Sequence, residues 1–373
     1  MFSKPWVRVG AIAGAGILSV LAGFLIFQGT IRHELAIQSA QHNFGKTQLN
    51  LLVLGYQSDE GTTDSIVLAH LDVDRQTATL VSIPRDTWVA IPGHGSQKIN
   101  AAYAFGGTAM SARVVSTLLG GIPIDATVAL QPQDAARVIE AIGGLDVNVD
   151  ENMDYDDNYG GLHIHLRKGE QHLSGRQVTE YIRFRNDAAS DFGRMKRQQY
   201  VLKLFMNQVS LPQNWVRLPG LLQLARKGVQ TSLNDAQLMA LFQIYHNVPD
   251  DDIRTFTLPG KPGWAGDASV VYVDPQWARL IGDVLFKKVD PPQDEVVVAN
   301  ATGDATFDKT LIGALRGGGW NVRTFVDEPA RRVSAVIGDS PAAAMLSHIF
   351  AAALRPGART TLVIGSDLAP YQE

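Results

Sequence analysis

The chain has 373 residues, 45% hydrophobic and 19% charged, enough core-forming material for two or more domains and too much for a disordered chain. Lys and Arg total 33 against 37 Asp and Glu, so no basic excess marks nucleic acid as the partner, and any anion chemistry has to come from local Arg clusters. Cysteine is absent, which removes disulfides, thiolate catalysis and Cys-based metal sites.

The first element in chain order is Val9–Phe27, 19 uncharged and mostly apolar residues. As a helix this segment nearly matches a hydrocarbon core of about 30 Å. Lys4 and Arg8 precede it, so the positive-inside rule keeps the N-terminus cytoplasmic and exports the remainder of the chain. Phe27-Gln28-Gly29-Thr30 is a poor cleavage site, which favours a retained anchor over a signal peptide. Residues 1–30 are therefore expected to be a stub and membrane anchor, and residues 31–47 a polar helical stalk.

Leu49–Gly55, Ser65–Leu71 and Ala78–Ile83 are short apolar runs suited to strands buried on both faces. Helical signals follow at Asn100–Phe105, Ser111–Leu119 and Gln133–Ile142. Leu162–Leu166 reads as a strand, and Ser174 caps a helix running to Phe184. In Phe192–Val209, residues Val201, Leu204, Phe205 and Val209 repeat at helical spacing. Strand and helix signals alternate through residues 48–287, which argues for an α/β fold with helices covering a central sheet. Residues 288–293 are a Pro-and-charge linker, and 294–373 carry a compact βαββαβ pattern, with its last helix over Ala342–Ala353, of a size that folds alone.

No phosphate loop, HExxH or GxSxG motif occurs. The acidic run Asp154–Gly160 has Tyr159 where a calcium loop needs glycine and His165 where it needs a bidentate Glu. His163 and His165 share a strand face but have no evident third ligand. What remains is a dispersed set at element ends: Asp59 and Asp64 between the first two strands, and Arg85 and Asp86 after the proline that stops the third. Lys98 follows, then Arg183 and Arg185 at the end of one helix and Arg194 and Gln198 four apart at the start of the next. Taken singly, each reads as a surface ion pair. As a set, converging guanidinium forks suit phosphate oxygens, and carboxylates among them suit a divalent metal bridging those oxygens.

The combination Thr63-Asp64-Ser65, Ser82-Ile83-Pro84-Arg85-Asp86, Lys98-Ile99-Asn100-Ala101-Ala102-Tyr103, Arg183-Phe184-Arg185 and Asp191-Phe192-Gly193-Arg194-Met195-Lys196-Arg197-Gln198 resembles the LytR-CpsA-Psr (LCP) family over about residues 48–210. The tail from Val296 is similar to the LytR C-terminal domain. The resemblance implies a three-layer α/β/α fold around a twisted mixed sheet, with a hydrophobic tunnel for a polyprenyl chain. It also implies Mg²⁺-dependent transfer of a phosphoglycosyl polymer, of teichoic acid or capsule type, from a polyprenyl-diphosphate carrier to a cell-wall acceptor, usually peptidoglycan.

By position, Arg85, Lys98, Arg183, Arg185, Arg194 and Gln198 would hold the diphosphate, with Asp64, Arg85, Arg183 and Arg185 at the reacting centre. Asp64 would bind or position the metal. Where the family has Asp after its first strand this chain has Gln57, and Asp59 is the expected substitute ligand, with a weaker metal site as the consequence. Val201, Leu204, Phe205 and Val209 would line the lipid tunnel or pack in the core. The expected setting is a single-pass membrane protein with extracytoplasmic domains. The alternatives are a hydrolase that passes the same diphosphate to water, or a non-catalytic lipid-carrier or glycan-binding protein. Export, net acidity and the lack of a helix-turn-helix pattern oppose a role on nucleic acid.

Overall fold

The computed structural model describes residues 31–57, 61–158, 162–184, 190–210, 214, 217–286, 291–302 and 308–367. Residues 31–44 form α1. After it come β1 (Gln48–Tyr56), β2 (Thr63–Asp72), β3 (Thr77–Ser82), β4 (Trp88–Ile91), β5 (Gly95–Lys98), α2 (Ala101–Leu118), β6 (Ala126–Leu130) and α3 (Pro132–Ala141). The middle of the chain holds β7 (Leu145–Val149), β8 (Met153–Asp157), β9 (Leu162–Leu166), β10 (Gly169–Leu173), α4 (Gly175–Arg183) and α5 (Ser190–Ser210). Next are α6 (Leu218–Gly228), β11 (Val229–Thr231), α7 (Asp235–His246), β12 (Ile253–Thr257), β13 (Lys261–Ala265), β14 (Ala268–Tyr272), α8 (Pro275–Ile281) and a π-turn over Gly282–Phe286.

The central sheet has the order β11-β6-β1-β2-β3-β12. β1 pairs antiparallel with β2 and parallel with β6, while β3 pairs antiparallel with β2 and parallel with β12. β1, β3, β6 and β12 therefore run one way and β2 and β11 the other, so the sheet is mixed. The apolar runs are unbroken because both faces are covered. On one face Leu52, Leu54, Ile66, Leu68 and Val81 pack with α2, α8 and the π-turn. On the other, Leu49, Leu51, Val67, Ala69 and Leu80 pack with α1 and α7. The expected stalk is thus part of the body: Ala36 and Ala40 of α1 are buried on the sheet, and His33 Nε2 bonds the Val73 carbonyl at 2.9 Å.

The two expected helices, Asn100–Phe105 and Ser111–Leu119, are the two helical halves of α2, separated by two non-helical glycines. α2 breaks at Gly106 and Gly107, the latter at φ +60°, a conformation that costs a residue with a Cβ far more than glycine. α4 begins at Ser174 with a capping box in which Gln177 reciprocates, in agreement with the cap expected there. A third core lies under the small pairs β7/β10 and β8/β9, where α3, α4 and α5 converge.

Residues 296–364 form a second sheet, β16-β15-β19-β17-β18, from β15 (Val296–Asn300), β16 (Val322–Asp327), β17 (Ala335–Ile337), β18 (Ala353–Arg355) and β19 (Thr360–Ile364), with helices α9 (Asp308–Gly317) and α10 (Pro341–Ile349). The last helix stops at Ile349, short of the residue 353 that its apolar pattern predicts; Ala351 takes φ +48° and the next residues pair with β17 as β18. α9 lies across β3 and β12, with Gly313 toward Phe256 and Gly317 toward Thr79 and Leu285. Leu311 and Leu315 join the same core as Leu52 and Leu54.

No helix among the described residues is long and apolar enough to cross a membrane, and the expected anchor at residues 9–27 lies outside them.

His70 sits inside β2, its Nδ1 2.8 Å from Asn50 Oδ1 and its ring edge-on to Phe286. Burial pushes it down from 6.5 to about 4, against an opposing pull from Asp72. Between those values the unfolded chain takes up a proton that the folded one refuses. Stability is therefore full above about pH 6.5 and falls toward pH 4, by up to about 3 kcal/mol. Urea unfolding of wild type and His70→Gln across this range should show the larger loss in the wild type.

Candidate functional site

The parallel members of the sheet all end on one edge. β1 runs out at Tyr56 into Gln57, and β3 at Ser82 into Ile83-Pro84-Arg85, while β2 begins there with Thr63-Asp64. Such an edge is where open α/β sheets gather ligand-binding groups, because loops leave the ladder there with polar groups unpaired. Local bonds fix the loops: Asn100 N–H donates to the Arg85 carbonyl at 3.2 Å, Thr63 N–H to the Asn100 carbonyl at 3.3 Å, and Ile99 N–H to the Thr87 carbonyl at 2.7 Å.

Asp64, Arg85, Asp86, Arg194 and Gln198 line one cleft of about 220 Å³, with Ser82, Pro84 and Met195 and, across from them, Pro262, Ser269, Val270 and Val271 of the β13/β14 hairpin. Arg85 Nη1 donates to Asp64 Oδ1 at 2.5 Å, and the Gln57 side-chain amide donates to Asp64 Oδ2. Arg85 Nε, buried and without a hydrogen bond, lies 3.7 Å from Asp86 Oδ2, and Lys98 Nζ reaches Asp86 Oδ1 at 2.7 Å. Arg85 and Arg194 thus line the cleft together with Asp64 and Asp86, and Lys98 reaches it through its ion pair with Asp86.

α5 brings its residues over the cleft through buried polar bonds. Gln199 Nε2 donates to Ser82 Oγ at 2.8 Å and to the Phe256 carbonyl at 3.0 Å, stitching the helix to the ends of β3 and β12. Arg197, 3% exposed, donates from Nη2 to the Phe184 carbonyl at 2.5 Å and lies over the Tyr181 and Phe184 rings. It is a tie between α4 and α5. Arg194, 4% exposed, sits one turn away from it and faces the cleft. Beyond β1, Tyr56 and Tyr103 stack at 4.7 Å and share Gln230, and burial together with Tyr56 pushes the Tyr103 hydroxyl up to about 12.

Of the expected site residues, Asp64, Arg85, Arg194 and Gln198 meet in the cleft, and Lys98 joins through Asp86. Arg183 stands in the last turn of α4 and does not line the cleft, while Arg185 and Asp59 lie outside the described residues. The stripe Val201, Leu204, Phe205 and Val209 lies in the third core, the first and last buried and the middle two half-buried, so it seals α5 onto the small sheets. His163 and His165 do share a face, but each Nδ1 bonds the carboxylate opposite, Asp156 at 2.5 Å and Asp154 at 2.6 Å, in exposed pairs. Asp154 holds His165 above its ordinary range. Sequence reasoning gave no role to Gln199 or the β13/β14 hairpin, and left Asp86 without one in the site. Gly266-Asp267 between two β-prone runs was the available signal for the hairpin.

A divalent metal has few donors here: among the described residues no group of three His, Asp or Glu is placed to hold one. The two cleft carboxylates nevertheless fit Mg²⁺ in its usual manner, one or two carboxylates with the remaining positions taken by substrate phosphate and water.

The LytR_cpsA_psr family model matches residues 29–280. The polyisoprenyl-teichoic acid–peptidoglycan teichoic acid transferase TagV of Bacillus subtilis is 32% identical over 248 residues, which are 63% of this chain and 62% of that protein, so the chain spans less than two thirds of it. The like-named transferase TagU of Bacillus cereus is 31% identical over 236 residues, 62% of this chain and 75% of its own. The crystal structure of B. subtilis TagV superposes with a TM-score of 0.56 at 29% identity, covering 64% of this chain and 96% of that one.

Replacing Gln199 by Leu leaves the Phe256 carbonyl and Ser82 hydroxyl without their donor. It should cost about 1–3 kcal/mol in urea unfolding, the amount expected for a buried polar group left unsatisfied.

Proposed function

This chain belongs to the LytR_cpsA_psr family, and on that premise we propose that it transfers a phosphoglycosyl polymer from a polyprenyl-diphosphate carrier to a cell-wall acceptor, peptidoglycan in the first instance. The observation that carries the reading is the meeting, in one cleft, of Arg85, Arg194, Gln198 and Asp64 from segments far apart in the chain. In the proposed setting the N-terminal apolar segment holds the enzyme at the membrane where the lipid carrier resides.

Arg85 is paired with Asp64, and Lys98 with Asp86. A diphosphate offers these cations more charge and better bidentate geometry than the single carboxylates do, so its entry exchanges ion pairs rather than burying bare charge. In the transfer, an acceptor hydroxyl oxygen bonds to the phosphorus bearing the glycan, and the bond from that phosphorus to the bridging oxygen breaks. Polyprenyl phosphate leaves with the bridging oxygen and the bond's electron pair. Arg85 and Arg194 neutralise charge on the non-bridging and leaving oxygens, which is the main catalytic demand of a loose phosphoryl-transfer transition state. The hydroxyl proton leaves late in such a reaction and needs only a weak base; Asp64 and Asp86 are the carboxylates in the cleft. Gln57 and Arg85 aim Asp64 by occupying one oxygen each.

Mg²⁺ would be held by Asp64 and the donor's phosphate oxygens, where it would add further neutralisation of phosphate charge. Asp59 and Arg185 remain proposed contributors, as does Arg183 from the end of α4, and an apolar path for the polyprenyl tail belongs to the same proposal.

Arg85→Ala and Arg194→Ala should each lower transfer from a purified polyprenyl-diphosphate glycan by about 10²-fold or more, with the melting temperature of the chain retained. Normal transfer by both variants would overturn the assignment. Gln57→Asp adds a carboxylate and removes the amide donor on Asp64. It should lower the Mg²⁺ concentration needed for half-maximal transfer, read from rates in EDTA-buffered magnesium, and an unchanged requirement would remove Asp64 from the metal's shell.

A further inference from the structure

The β13/β14 hairpin has two faces, and its register says which residues share them. Pro262 lies opposite Val271 and Trp264 opposite Ser269. Directly opposed residues point to the same side, and residues two apart along a strand do too. Pro262, Ser269 and Val271 line the cleft that holds Arg85 and Arg194, with the buried Val270 of the other face beside them, and Trp264 extends the first face along its strand.

Trp264 is 70% exposed, the most exposed large apolar side chain among the described residues. Its backbone is nevertheless pinned. On the opposite face the Tyr272 ring lies over Gly263, so close that a Cβ there would stand 2.8 Å from ring carbons. The Tyr272 hydroxyl donates to the Trp264 carbonyl at 2.9 Å. The base of the hairpin is tied to the loop that carries Arg85 by the Val271 N–H bond to the Asp86 carbonyl at 2.9 Å and by the bridge between Thr87 and Val271. An indole held outward on a braced strand, next to a phosphate-sized cleft, has the form of a stacking platform.

Resting on the transferase reading, we infer that Trp264 stacks on a pyranose ring of the acceptor glycan and positions its hydroxyl toward the cleft. The chemistry separates acceptor from donor. The donor brings a diphosphate, which the cations of the cleft hold by charge. The acceptor's reacting sugar brings no such handle, and what it offers is a face of C–H groups that matches an aromatic plane. Ser269, opposite Trp264 and also exposed, stands beside the ring with a hydroxyl for hydrogen bonding.

The test is initial-rate kinetics of the full chain with a purified polyprenyl-diphosphate glycan as donor and a lipid-free peptidoglycan oligosaccharide as acceptor, each varied in turn. Trp264→Ala should raise the acceptor KM by about ten-fold while the donor KM stays within two-fold, and Trp264→Phe should recover most of the loss. An unchanged acceptor KM, or a rise of equal size in the donor KM, would overturn the inference. Calorimetric titration of the same oligosaccharide into wild type and Trp264→Ala separates this outcome from failure of the transferase reading. If the wild type transfers nothing but binds the oligosaccharide through Trp264, the platform stands without the reaction; equal binding by both proteins removes the platform whatever the reaction.

Discussion

Asp64 is held between the Arg85 guanidinium and the Gln57 amide, and the organisation of the cleft follows from that contact. A carboxylate with both oxygens engaged cannot swing, and a guanidinium engaged by it is kept pointing into the cleft. Lys98 is held in the same way by Asp86. The two acids thus keep Arg85 and Lys98 gathered at the end of the sheet. Were the cations unpaired, their repulsion would spread them apart.

This arrangement is possible only at the end of the sheet. The strands are buried on both faces, so their interior positions are mostly apolar and the few polar ones, such as His70 and Asn50, bond one another. Polar groups collect where β1, β3 and β2 meet the loops. α5 is added to that edge by Gln199 and by the tie of Arg197 to the end of α4. At the β3/β12 side, α9 packs on the same sheet, so the C-terminal unit shares a core with the domain that carries the cleft.

Much of the scaffold was legible because its signals are local. The first three strands, the Ser174 cap and α5 follow from apolar runs and capping chemistry that neighbouring residues settle among themselves. The edge hairpins and β18 were less so: short, half-exposed strands take their pairing from a partner elsewhere, and nothing in Ala353-Leu354-Arg355 itself announces β17. The cations were legible as a set but not as individuals. Arg194 and Arg197 sit one turn apart on the same helix with the same chemistry, yet one lines the cleft and the other is spent on the Phe184 carbonyl and two aromatic rings.

The amino-acid order by itself determined the alternation of strand and helix, the lack of any cysteine chemistry, the supply of Arg, Lys and Asp at element ends, and the Gln57 replacement, since these depend on residues and their near neighbours. Tertiary structure alone decided which of those charges share a cleft, that Gln57 donates to Asp64, and that a hairpin from residues 261–272 closes the far wall and presents Trp264. The reason is distance along the chain. Asp64, Arg85, Arg194 and Ser269 come from segments whose approach is fixed by the sheet order and by the packing of α5 on the edge, and no local pattern encodes either.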